Sequence, residues 1–138
     1  MSTQPLKILM YSHRPNIREA IITAVGRRPA PDIGRVDYVE AATVSEVLMI
    51  MDAGGIDLAI LDGEAVPAGG MGIARQLKDE IFQCPPILVL TGRPQDAWLA
   101  TWSRAEGAVS HPIDPLRLAE VTADLLRQRL ATLPATTA

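Results

Sequence analysis

Five short apolar runs, each separated from the next by a stretch of helical period, constrain this chain more than any other feature. "LKILMY" (Leu6 to Tyr11), "VDYVEAA" (Val36 to Ala42), "DLAILD" (Asp57 to Asp62), "PILVLT" (Pro86 to Thr91) and "AVS" (Ala108 to Ser110) read as strands. After the first, Pro15 opens a helix whose apolar face is Ile17, Ile21, Ala24 and Val25. After the second come Val44, Val47, Leu48 and Met51, at i, i+3, i+4 and i+7, with Gly54 and Gly55 as the stop. Ile73, Leu77 and Ile81 mark a helix after the third. Pro94 opens "PQDAWLATWSRAE" after the fourth, with Gly107 expected to end it. Asp114 and Pro115 cap the last helix, whose inner stripe is Leu118, Val121 and Leu125.

Strands alternating with helices of this length favour parallel pairing, right-handed crossovers and helices on both faces. The expected fold is therefore α/β: a (βα)5, flavodoxin-like, doubly wound sheet of five parallel strands in the order 2-1-3-4-5. That order puts the second and most polar strand at an edge, while "ILVLT" has the unbroken apolarity of a strand covered on both faces. With 138 residues the chain has the length of one domain, expected over 6–131. The polar ends, 1–5 and 132–138, are expected to be loose.

In an open sheet of this kind the functional crevice lies beyond the carboxyl ends of the strands. Strand one ends in Ser12 and His13, strand three in Asp62, strand four in Thr91, and strand five in Ser110, His111 and Pro112. This set resembles the receiver domain of two-component response regulators from about Leu6 to Leu130. The pattern is similar to the small stand-alone receivers of actinobacteria that keep the fold without the full acidic pocket. The resemblance implies that Asp62 is the phosphoacceptor position and that Thr91 contacts phosphoryl oxygens. It also makes Pro67 the loop proline, Gly72 the helix-opening glycine and Pro112 a cis-proline candidate.

The departures carry equal weight. Where the family has two adjacent acids that hold Mg²⁺ with the acceptor, this chain has Ser12 and His13. A hard cation wants oxygen ligands, so magnesium binding is expected to be weak and no cofactor is assigned. His111 stands where the family has lysine; lysine is charged at neutral pH, whereas imidazole is only partly so. Both loop intervals, Asp62 to Pro67 and Pro67 to Gly72, are one residue longer than the family's. The inward-swinging aromatic of strand five is replaced by Ala108. Phosphorylation at Asp62 is accordingly expected to be slow, absent or dependent on a partner.

The net charge of −3 argues against nucleic acid and against an anionic membrane surface as partners, and no apolar run approaches a spanning length. The single cysteine, Cys84, suits a reducing cytoplasm and reads as an apolar filler. "AGGMG" (Ala68 to Gly72) lacks the spacing of a phosphate-binding loop. His13, His111 and Asp62 as a zinc or nickel site is disfavoured, since its ligands would come from three separate strands. Trp98 and Trp102, two of the five aromatic residues, share a helix face at i, i+4. One of them is expected to pack inward beside Leu99, and both are docking candidates.

The reading that results is a signalling module, not an enzyme. It has a histidine kinase as candidate donor and acts through protein docking or self-association. The expected face joins the helix between strands four and five, strand five and the last helix. With eight residues after Leu130, no attached output domain is expected. The alternatives are a conventional phosphorelay receiver and a small flavodoxin-like enzyme or ligand-binding protein.

Overall fold

The computed structural model describes residues 5–64, 69–81, 83–93, 98 and 102–132. The strands are β1 (Leu6–Tyr11), β2 (Val36–Ala41), β3 (Leu58–Asp62), β4 (Ile87–Thr91) and β5 (Gly107–Ser110). They form one parallel sheet in the order β2-β1-β3-β4-β5, as expected. The central strands β3 and β4 are buried at every position, whereas β2 leaves Asp37 and Glu40 in solvent, as befits an edge.

Four helices are described: α1 (Pro15–Val25), α2 (Val44–Ala53), α3 (Gly70–Glu80) and α4 (Pro115–Thr132). Pro15 occupies the first position of α1, and α2 ends at Gly54 with φ +79, a conformation that glycine reaches without strain. At the start of α2 the Thr43 hydroxyl oxygen accepts the Glu46 amide, and Glu46 Oε1 reaches back to accept the Ala42 amide and the Thr43 hydroxyl. Asp114 caps α4, its Oδ1 accepting from the Leu116 and Arg117 amides.

The sheet separates two cores. Ile8, Met10, Leu58, Ile60, Leu88 and Leu90 face α1 and α4; Leu9, Tyr11, Ala59, Leu61 and Val89 face α2 and α3. Period-2 alternation thus sends successive residues of one strand to opposite cores.

Several sequence expectations need correction. Gly107 opens β5; the turn before it is made by Arg104, at φ +64. Ile81 caps α3 and is only half-buried, the inward face being Ile73, Ala74 and Leu77. On α4, Val121 lies at the margin while Leu118, Thr122, Ala123, Leu125 and Leu126 are buried. The last helix also runs one residue past the expected domain end, to Thr132. The rest of the ends expected to be loose lies outside the described residues, apart from Pro5, as do Pro67, Pro94 and Leu99.

Candidate functional site

At the carboxyl edge of the sheet two of the predicted residues, Ser12 and His111, meet Asp62. That residue closes β3, is fully buried, and faces one side chain from just past β1 and one from beyond β5. Ser12, just past β1, is held by its own amide, which donates to the Ala41 carbonyl at 3.2 Å, and by Arg18, whose Nη1 donates to the Ser12 carbonyl at 2.5 Å. Its hydroxyl donates to Asp62 Oδ2 at 2.8 Å. The Glu64 amide donates to Asp62 Oδ1 at 2.9 Å, an Asx-type turn that starts the following loop. His111 Nε2 stands 3.4 Å from the same oxygen. The His111 amide is fixed by the Thr91 carbonyl at 2.8 Å, and the His111–Pro112 peptide is cis.

Arg14 was not among the residues picked out from the sequence. Its Nη2 lies 3.7 Å from Asp62 Oδ2, and its amide donates to Ser12 Oγ at 3.1 Å. The only sequence signal was position: it follows Ser12 and His13 directly at the end of strand one. His13, Arg14, Glu64 and His111 line a cavity of about 670 Å³ above the acid. Tyr11, buried one residue before Ser12, has its phenol pushed up, first by burial and then by the Asp62 carboxylate.

Thr91 is buried at the end of β4. With Ala108, Ser110 and Arg117 it borders a second cavity of about 400 Å³, on the side where the small Ala108 side chain leaves room. Among the described residues, no three His, Cys, Asp or Glu side chains gather as a metal-holding group, so His13, His111 and Asp62 do not assemble into the three-ligand set considered above.

No family model matches the chain. It is 60% identical over 126 residues to an "uncharacterized response regulatory protein" of Mycobacterium tuberculosis, found in strains CDC 1551 and H37Rv, covering 91% of this chain and 95% of the relative. The chain belongs to the response regulators.

The solved structures agree on the fold of this receiver. The receiver domain of the Francisella response regulator 1452 matches with a TM-score of 0.75 at 16% identity, over 91% of this chain and 98% of that one. A CheY-like receiver domain protein from Methanospirillum hungatei gives 0.71 at 17% identity, over 93% and 98%.

Two details of the receiver's site differ from the expectation. Gly72 does not open α3 against the acid, for a Cβ there would meet nothing within 4 Å. Gly70 does: a Cβ would lie 2.8 Å from both the Asp62 carbonyl oxygen and Leu61 Cβ, so only glycine lets the helix start this close to β3. Counted from Asp62 to Gly70, the interval is eight residues, so the two-residue excess inferred from Gly72 disappears. Secondly, neither tryptophan packs inward. Trp98 is 65% exposed and Trp102 is 47% exposed. Trp102 is covered on one side by Arg75 of α3, whose guanidinium carbon lies 5.0 Å from the ring centre and whose Nη1 donates to the Trp102 carbonyl at 2.7 Å.

Proposed function

We propose that this response regulator is an atypical receiver, one that signals by docking and takes phosphoryl groups at Asp62 slowly or not at all by the magnesium-dependent route. The observation that carries the reading is the donor set around the acid. Ser12 Oγ–H, the Glu64 amide, Arg14 and His111 face its two oxygens, with Ser12 and His13 standing where the family's metal-holding acids would be. Magnesium needs a near-octahedral shell of oxygens. One carboxylate already engaged by hydrogen-bond donors and a guanidinium does not fit that ion.

Phosphoryl transfer depends on positioning and on neutralising charge spread over three equatorial oxygens. Asp62 keeps the nucleophile and Thr91 the hydroxyl, but the two-charge ion is disfavoured. Ala108 leaves the threonine–aromatic relay without its second member. Incubation with acetyl phosphate and Mg²⁺ followed by intact mass measurement is expected to show little phosphorylated protein. Rapid stoichiometric modification would overturn the reading.

Docking is supported by the two exposed indoles on a segment that is helical at Trp98 and Trp102. Tryptophan is among the residues that dominate interface energies. Trp98→Ala and Trp102→Ala are each expected to weaken association with a protein partner or a second copy about tenfold or more, with the fold intact. Sedimentation and partner binding unchanged in both variants would count against this surface. We place this activity in the cytoplasm. No described helix is long and apolar enough to cross a membrane.

A conventional phosphorelay receiver, phosphorylated at Asp62 by a histidine kinase, is the second reading. It is favoured by the buried acid, Thr91 and the cis His111–Pro112 step standing together. The mass measurement separates the two.

A further inference from the structure

A carboxylate as fully buried as Asp62 needs a counter-charge, because an ionised acid out of water is costly unless paired. We propose that Arg14 supplies it: a tethered cation that shares Asp62 Oδ2 with Ser12 and so holds divalent ions off the acid. The inference rests on the reading that magnesium binds poorly at Asp62, and it adds the residue that enforces this.

Three features of the chain support the assignment. First, the guanidinium lies 3.7 Å from Oδ2, the oxygen that also accepts the Ser12 hydroxyl. Second, the arm is anchored at its base. The Arg14 amide donates to the same Ser12 Oγ at 3.1 Å, and Pro15 begins α1 directly behind it. One hydroxyl therefore accepts from the main chain of Arg14 and donates to the acid that the Arg14 side chain faces. Third, the Arg14 side chain remains 44% exposed and lines the cavity above Asp62 with Glu64 and His111. It can be displaced into water, so its hold on the acid is a competition and not a structural lock.

The chemistry of the competition is direct. An arginine guanidinium carries a fixed positive charge, so it can balance Asp62 without metal. A divalent ion on Oδ2 would share that oxygen with a like charge, and two like charges a few ångströms apart repel appreciably even in water. A lysine in place of Arg14 would keep the repulsion; a glutamine would keep much of the side-chain length and abolish it.

The test is titration of Mn²⁺ into the wild-type chain, Arg14→Gln, Arg14→Lys and the double variant Arg14→Gln/Asp62→Asn, followed by calorimetry and by the melting temperature at each ion concentration. Arg14→Gln is expected to gain about tenfold or more in Mn²⁺ affinity and to melt higher as Mn²⁺ is added. Wild type and Arg14→Lys should stay silent, and the double variant should lose the gain. Silence in both wild type and Arg14→Gln would overturn the role of Arg14 while leaving the weak-metal reading intact. Tight Mn²⁺ binding by the wild type would overturn both. A gain that survives Asp62→Asn would also overturn the assignment, because the ion would then sit elsewhere.

Discussion

The two edges of the sheet treat their carboxylates in opposite ways. At the edge where the strands begin, Asp57 immediately precedes β3 and Glu106 immediately precedes β5. Each makes the same pair of hydrogen bonds to a neighbouring strand. The Asp57 amide donates to the Lys7 carbonyl while its Oδ2 accepts the Lys7 amide, both at 2.9 Å. The Glu106 amide donates to the Ile87 carbonyl at 2.9 Å while its Oε1 accepts the Ile87 amide at 2.8 Å. The second oxygen of each then meets a cation from a helix, Arg129 at 3.4 Å and Lys78 at 2.6 Å. These acids extend the ladder by one step and staple it to α4 and α3. At the other edge Asp62 accepts from Ser12 and the Glu64 amide, and its contacts with Arg14, at 3.7 Å, and with His111, at 3.4 Å, come from loops beside a cavity. One edge is closed for stability. The other is arranged around an acid that faces a cavity.

That contrast can be broken by comparing variants at the two edges. Glu106→Ala should have the larger effect. It leaves the amide of fully buried Ile87 unpaired and Lys78 without its carboxylate, a loss of about 3 kcal/mol in urea unfolding. Ser12→Ala should cost about 1.5 kcal/mol, because Asp62 retains the Glu64 amide, Arg14 and His111. Equal losses at the two positions would erase the distinction between staple and site.

The smallest effect sharpens the comparison through pH. Asp32, in the loop before β2, is held down to about 2 chiefly by hydrogen bonds from Arg127 of α4. Because the folded chain favours the ionised acid, this contribution is present above pH ~4 and fades as pH falls toward about 2. Asp32→Asn should flatten that part of the acid unfolding curve slightly and leave stability at neutral pH nearly unchanged, since the pair is exposed. Unfolding followed by circular dichroism between pH 2 and 5 checks it.

Much of the fold was legible because periodicity is a local property. The polarity of "VDYVEAA" alone marked β2 as an edge, and Pro15, Gly54 and Asp114 marked helix ends by their backbone chemistry. The set of site residues was legible too, since a parallel sheet brings every strand's carboxyl end to one edge. What failed needed three dimensions. Gly70 and Gly72 look alike in sequence, and only the approach of α3 to the Asp62 carbonyl tells them apart. Spacing at i, i+4 put Trp98 and Trp102 on one face but could not say whether that face met the core. Arg14 was passed over because three consecutive residues end strand one, and the reach of a long side chain back to β3 depends on the fold. The acids at 57 and 106 carried a recurring signal, an acid just before a strand, that only the ladder explains.

The central claim is that Asp62 is balanced by this chain's own residues and leaves no seat for a divalent ion. A crystal structure of the protein soaked in magnesium and beryllofluoride tests it most directly. The account predicts Asp62 still joined to Ser12 Oγ and facing Arg14, with neither ion nor beryllofluoride against it. Both lodged on the Asp62 carboxylate, with Arg14 turned out to solvent, would contradict it.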